Sequence, residues 1–221
     1  MEQLEDNTKE YFKTYQVEDV VYSTAEILFI LESPHVEEIK NGYPVAGNSG
    51  REMTRFIYAD KPNEPFGNLV NNGQQYKKEY PEINKFGLMN VCPAPMQKQA
   101  LKDFELAGGE EKVLSILEKL RVNYQANRHR AEEWNRVKVM IINNFHRRLE
   151  KVLKKYKQIS YLVPCGKFAA NYLRLVKEDL PAAIEIINGV PHPSFNQWHD
   201  DKVMRRLEEG LTDIFGEDFT K

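Results

Sequence analysis

Cysteine is scarce in this chain of 221 residues, which contains only Cys92 and Cys165. The two stand far apart and form no C-x-x-C pair, so the pattern excludes a disulfide framework and a cysteine-based zinc site. Three histidines, His35, His192 and His199, remain as metal ligands, but no carboxylate or cysteine at ligand spacing accompanies them. We therefore expect neither a metal ion nor another cofactor.

Long apolar segments are also missing. No run approaches the ~20 residues of a membrane-spanning helix, and the polar, acidic stretch MEQLEDNTKEYFK has no apolar signal segment. A hydrophobic content of 41% and a charged content of 29% are typical of a globular protein with a core. We expect a cytoplasmic monomer without membrane contact, with one domain over residues 1–221, a core at about 24–215 and an N-terminal helical extension at 1–23.

The small net charge of −2 conceals a strongly basic segment. Residues 121–157 contain eleven Lys and Arg and three Glu, a net charge of about +8. Such a segment is typical of a surface that binds a polyanion, and we expect Arg147 and Arg148 to contact phosphates there. The alternative is a solvated helix surface without a ligand.

Four short apolar runs predict buried strands, namely EILFIL (26–31), FGLMNV (86–91), ISYLVP (159–164) and AIEIIN (183–188). Helical patterns lie between them, and a last helix is expected at about 199–214. Strands that alternate with helices indicate an α/β fold, a three-layer sandwich with a central four-stranded parallel sheet and helices on both faces.

Each predicted strand is followed by a polar segment that contains Pro or Gly. These segments are ESPH, NVCPAP, PCG and GVPHPS. Because ligands of parallel α/β sheets bind at the carboxyl ends of the strands, we expect the four segments to meet at one site. The last is stiff, since His192 stands between two prolines.

Several of these strand ends, in their order along the chain, resemble the uracil-DNA glycosylase superfamily. FILESPH is similar to its first motif, a strand followed by a turn of the type G-E-A-P-G or G-Q-D-P-Y. GYPVAGNSG resembles the segment G-x-P-F-V-G-x-x-G that follows in the branch with G-E-A-P-G. Asn90 resembles the Asn that ends the base-reading strand, PCGKFAANYL the Gly-x-x-Ala helix start, and His192-Pro193-Ser194 the closing H-P-S motif. The resemblance covers roughly residues 26–215.

The chain departs from the superfamily at four points. Leu31 stands where the first motif usually has Gly, and Ser33 where the G-Q-D-P-Y branch has the Asp that positions water. Val45 stands where the P-F-V-G segment has the Phe that stacks on uracil. With two cysteines, the chain also lacks the four ligands of the iron–sulfur branch.

The resemblance implies a DNA glycosylase, which cleaves the bond between a base and its deoxyribose. The base leaves as an anion, and His192 is expected to stabilise that charge; the alternative is a histidine that caps the following helix. Asn90 is expected to read the edge of the base, or else to be a strand-end turn residue. Glu32 is the candidate for positioning water, or else a surface or helix-capping acid, and Ser33 can hold a water but is a poor base.

Further residues are expected to bind the substrate. His35 stands where some members carry a Tyr that excludes the thymine methyl, and either has that steric role or faces solvent. Val45 and Ser194 are expected to contact the base. Gly47 and Ser49 belong to AGNSG, which offers free amides for a phosphate at a helix N-terminus, although a plain Gly-rich turn is the alternative.

Two aromatic residues after the H-P-S motif, Phe195 and Trp198, stand where the superfamily inserts a wedge into the duplex. A wedge offsets the cost of unstacking by occupying the space that the flipped base leaves. The alternative for Trp198 is a core residue packed against the last helix.

Three functions remain open from the sequence. The first is a DNA glycosylase for uracil or another altered base, acting on single- or double-stranded DNA. The second is a catalytically weak or inactive nucleic-acid-binding module of the same fold, which Ser33 and Val45 favour. The third is another phosphate-ester or nucleotide hydrolase, which the absence of an acidic metal cluster disfavours.

Overall fold

The computed structural model describes residues 2–59, 64–194, 197–199 and 201–216. Its centre is a sheet of four parallel strands, β1 (Ile27–Leu31), β2 (Phe86–Asn90), β3 (Tyr161–Pro164) and β4 (Glu185–Ile186), in the order β2-β1-β3-β4. The four strands lie within the four predicted apolar runs. The α/β fold with a four-stranded parallel sheet is confirmed.

Helices cover both faces of this sheet. They are α1 (Glu2–Thr14), α2 (Val36–Asn41), α3 (Asn48–Tyr58), α4 (Phe66–Asn71), α5 (Gly73–Tyr76), α6 (Gly108–Val122), α7 (Glu132–Lys155), α8 (Gly166–Val176) and α9 (Asp201–Phe215). In the part of the chain that the structure describes, no helix is both long enough and apolar enough to cross a lipid bilayer.

The side chains of β1 alternate between two hydrophobic clusters. Leu28 and Ile30 pack with α1, α6, α7 and α8, whereas Ile27, Phe29 and Leu31 pack with α3, α4 and α9. All five are buried, because a parallel strand at the centre of a sandwich has no solvent face. This is why the strand is a continuous apolar run instead of an alternating one.

The predicted N-terminal extension packs into the domain. Tyr11 of α1 is completely buried in the cluster that contains Leu28, and its hydroxyl donates a hydrogen bond of 2.9 Å to the carbonyl of Pro95. Val20 pairs antiparallel with Leu88 of β2 through an isolated bridge. Residues of the 1–23 segment thus contribute directly to the core and to the edge of the sheet.

The basic segment 121–157 begins at the end of α6, continues through a loop and then forms α7. Side chains of α7 hold the backbone of this loop: the Asn135 amide exchanges hydrogen bonds with the backbone of His129, and Lys138 Nζ donates to the carbonyl of Ala126. Lys138 is itself buried. Part of the positive charge of this segment is therefore turned into the protein.

Candidate active site

A cleft of about 630 Å³ opens at the carboxyl edge of the sheet. It lies between the segments that follow β1, β3 and β4, and its lining includes Glu32, Arg121, Gly166 and His192. The predicted convergence of strand ends thus brings Glu32 and His192 together.

His192 is held from two sides. Its Nδ1 lies 3.0 Å from the hydroxyl of Ser194, and Gly166 packs against its backbone so closely that a Cβ at Gly166 would lie 3.0 Å from the Cβ of His192. Gly166 also has a φ of +90°, a conformation that favours glycine. Burial lowers the pKa of His192, the charge of Glu32 raises it and that of Arg121 lowers it. At neutral pH the imidazole is therefore uncharged, and its Nδ1 lies beside the hydroxyl of Ser194.

Glu32 forms an ion pair across the fold. Arg121, in the last turn of α6, donates from Nε to Oε1 of Glu32. The Glu32 side chain is the more buried of the two, and its charge acts on both His192 and Glu38. The charge of Glu32 therefore influences the pKa of His192 in the cleft and that of the buried Glu38.

Ser33 and Asn90 are not among the residues that line this cleft. Asn90, at the end of β2, is only 1% exposed, and its Nδ2 is 3.5 Å from Oε1 of Glu38. Its Oδ1 and the Oγ of Ser33 are buried without a hydrogen-bond partner among the described residues. Buried unpaired polar atoms are costly, and two at adjacent strand ends are typical of a site that a water or ligand completes.

Glu38 is the residue that sequence reasoning missed. It lies in α2, is 9% exposed, and accepts hydrogen bonds from the backbone amides of His35 (2.8 Å) and Val45 (2.7 Å) as well as from Asn90. Burial raises its pKa to about 7, although these hydrogen bonds lower it. The one available signal was its place, three residues after His35 at the start of a helix, where an acid reaches back to a backbone amide.

The segment after α2 is tightly fixed. Val45 has a φ of +48°, which is unusual for a β-branched residue. A Cβ at Gly50 would lie 1.9 Å from the carbonyl oxygen of Val45, and one at Gly67 would lie 2.0 Å from that of Pro44. The two glycines and the carboxylate of Glu38 hold this strained backbone, while the Val45 side chain is buried in the cluster with Phe29. Val45 was expected to contact the base; its side chain is only 4% exposed, and that contact stays a prediction.

A second cavity, of about 460 Å³, brings together four predicted residues, His35, Val45, Gly47 and Ser49. Helix α3 begins at Asn48 with Gly47 as its N-cap, so Ser49 lies inside the first turn. Glu37 and Glu38 also line this cavity. Arg51 lines the cavity as well, so its charged lining is mixed and the phosphate predicted there stays a prediction. The cavity shares no lining residue with the His192 cleft.

Trp198 is a core residue, and the prediction that it is a wedge is wrong. It is 1% exposed, its Nε1 donates to the carbonyl of Pro191 at 2.9 Å, and its ring packs against Phe29 and Phe56. A side chain so enclosed cannot enter a duplex without leaving the core. Phe195, the other predicted wedge, lies outside the described residues and stays a prediction.

Arg148 does not face solvent, and the prediction that it contacts DNA phosphates is wrong. Its side chain is 16% exposed and donates to the Asp19 carboxylate at 2.6 Å and to the carbonyls of Asn90 and Val91 at 2.7 Å each. These bonds connect α7 to the end of β2 and direct the guanidinium into the protein. Arg147 is exposed, and its predicted phosphate contact stays a prediction.

The raised pKa of Glu38 leads to a test by stability. Between its ordinary value of 4.5 and about 7 the folded protein binds a proton that the unfolded chain does not, so the free energy of unfolding falls as the pH rises through this window. The loss amounts to roughly 3 kcal/mol. Glu38→Gln removes the titration, and urea unfolding at several pH values should show wild type losing stability relative to the variant as the pH rises from 4.5 to about 7. A difference that does not change with pH would mean that the three donors keep Glu38 ionised.

Neither the arrangement of potential metal ligands nor the comparison with known proteins assigns a ligand or a family to this site. Among the described residues, no group of three or more His, Cys, Asp and Glu side chains is arranged to hold a metal ion. Neither a protein-family model nor a curated protein sequence matches this chain.

Proposed function

We propose that the protein hydrolyses the N-glycosidic bond of uracil or another altered base that is flipped from DNA into the cleft. The observation that carries this proposal is the placement of a neutral His192 and a carboxylate, Glu32, in one cleft at the carboxyl edge of the sheet. The order of motifs that resembles the uracil-DNA glycosylase superfamily supports it.

His192 would stabilise the departing base. When the Ser194 hydroxyl donates to Nδ1, the proton of the neutral imidazole resides on Nε2, which then donates to the oxygen on which negative charge develops. Stabilisation of charge that exists mainly in the transition state raises the rate more than the affinity. The stiff loop between Pro191 and Pro193 fixes the donor before the substrate arrives.

Glu32 would orient the attacking water. Its Oε1 is bonded to Arg121, so the other carboxylate oxygen, Oε2, is the acceptor that can hold a water on the opposite side of the sugar. The Asn90 Oδ1 and the Ser33 hydroxyl, which lack partners among the described residues, would offer an acceptor and a hydroxyl to the flipped base.

The ion pair of Glu32 also favours a second function, base binding without cleavage. One oxygen of the Glu32 carboxylate is engaged by Arg121 and is not available to a water, and Ser33 cannot replace an Asp in activating water. In this alternative the cleft holds a flipped base, and the glycosidic bond stays intact.

The two functions are separated by incubating the protein with oligonucleotides that contain uracil, hypoxanthine, xanthine or a substituted pyrimidine. Alkali then reveals abasic sites, and fluorescence anisotropy measures binding to the same oligonucleotides. Cleavage of one modified oligonucleotide, absent with the unmodified one, supports the glycosylase. Preferential binding without abasic sites supports the binding module, and indifference to every modification contradicts both.

A further inference from the structure

A groove continues from the His192 cleft along helix α8. It has a volume of about 580 Å³ and shares Tyr124, Lys167 and Ala170 with the cleft. From this junction it extends past Arg174 to Lys177 at the end of the helix. A polymer with one unit in the cleft can therefore place its adjoining units in the groove.

The charged residues that line this groove are all positive. They are Lys167, Arg174 and Lys177, each exposed, and none forms an ion pair with a carboxylate of the described residues. Arg121 and Arg148, by contrast, have their carboxylate partners within the protein. The cations beside the cleft that can bind a polyanion thus lie on α8 and at its end, outside the basic segment 121–157.

The spacing of the three cations fits a nucleic-acid backbone. Lys167 and Arg174 are two helical turns apart on one face, and Lys177 follows one turn later. At a rise of about 1.5 Å per residue, Lys167 and Lys177 are separated by roughly 15 Å along the helix axis. That length corresponds to at most about four nucleotides of a strand with a rise of about 3.4 Å each.

Tyr124 supplies an aromatic surface at the junction. Asn171 of α8 donates to the carbonyl of Tyr124 at 2.9 Å, and the ring packs against Phe168 with centroids 6.0 Å apart. The ring lines both the cleft and the groove and is half-buried. A fixed ring beside a row of cations is the combination that binds single-stranded nucleic acid, because every base can stack and every nucleotide carries a phosphate.

We propose that the α8 groove, defined by Tyr124, Lys167, Arg174 and Lys177, binds the single-stranded segment that adjoins the nucleotide in the cleft. The proposal rests on the proposed function, since it names the path of the strand whose base the cleft receives. It replaces Arg148 as the phosphate contact and places the strand on α8.

The test is the salt dependence of binding to a short fluorescent oligothymidylate. A variant with Lys167→Gln, Arg174→Gln and Lys177→Gln should lower the slope of log affinity against log salt by about 2, since each lost phosphate contact on a single strand removes about 0.7. The matched control removes three exposed cations from the end of the basic segment, by Lys151→Gln, Lys155→Gln and Lys157→Gln. It should leave the slope unchanged.

Two further measurements make the result specific. Tyr124→Leu should weaken binding by roughly five- to a hundred-fold without altering the salt slope, because it removes stacking and no charge. Polyglutamate should compete poorly at equal charge, and equal competition would mean that the groove accepts any acidic polymer and would overturn the proposal.

The outcomes also separate this proposal from the glycosylase. Equal loss of slope in both triple variants, or a wild type that binds no oligothymidylate, would overturn the groove even if abasic sites form in longer DNA. A selective loss of slope in the α8 variant together with no base excision would support the groove and contradict the enzymatic function. Circular dichroism of every variant excludes loss of fold as the cause.

Discussion

Replacing His192 with alanine is expected to slow base excision by roughly 10²–10³-fold while the affinity for DNA changes by no more than a few fold. In the proposed mechanism the neutral His192 is the donor of the cleft, and the charge that it would stabilise develops mainly in the transition state. The measurement is single-turnover excision on the preferred oligonucleotide, with anisotropy on the same DNA.

A matched control for this experiment is Ser194→Ala. The hydroxyl of Ser194 contacts Nδ1 and is expected to set the tautomer, but it is not itself the donor to the base. Its loss should therefore cost less activity than the loss of His192. Unchanged excision by His192→Ala, or a parallel loss of DNA binding, would contradict the assignment of His192 to transition-state stabilisation.

Replacing Trp198 with alanine is expected to lower the free energy of unfolding by about 3–5 kcal/mol, the usual cost of removing a large buried aromatic side chain. The ring is enclosed by Phe29 and Phe56, and its Nε1 donates to Pro191. Because Pro191 adjoins His192, we also expect excision to fall in the folded fraction. Urea unfolding, followed by a probe other than the fluorescence of the lost indole, gives the stability change.

Trp198→Phe is the control for this variant. It retains most of the apolar volume and removes the hydrogen bond to the Pro191 carbonyl, so its cost should be closer to 1 kcal/mol. A wedge would give a different pattern, with full stability in Trp198→Ala and a selective defect on duplex DNA. That pattern would contradict the core placement of Trp198, and without it Phe195 stays the candidate wedge.

The sheet was predictable because its information is local. The runs at 26–31 and 86–91 consist of apolar residues that can be buried on both faces, and the structure has β1 at Ile27–Leu31 and β2 at Phe86–Asn90. The fourth strand was predicted too long. It is paired only over Glu185–Ile186 and is followed by the Pro-rich loop, whose prolines cannot donate to a ladder.

The candidate site was only partly predictable, because its chemistry depends on contacts between distant segments. Glu38 was not among the residues singled out in the sequence, because its burial against Val45 and Asn90 depends on how the segment after α2 folds back. Arg148 read as one cation among eleven in its segment until Asp19, 129 residues away, proved to be its partner.

The sequence by itself determined the α/β class, the parallel sheet and the edge at which Glu32 and His192 meet. Periodicity and the positions of Pro and Gly are properties of neighbouring residues, and parallel strands end at the same edge. Only the tertiary structure decided that Trp198 is core, that Arg148 is an internal connection and that the free cations of the groove lie on α8. Each of these assignments depends on which distant residue packs against the side chain in question. The periodicity of a single segment carries no information about that distant residue, and long amphipathic side chains can pack in more than one environment.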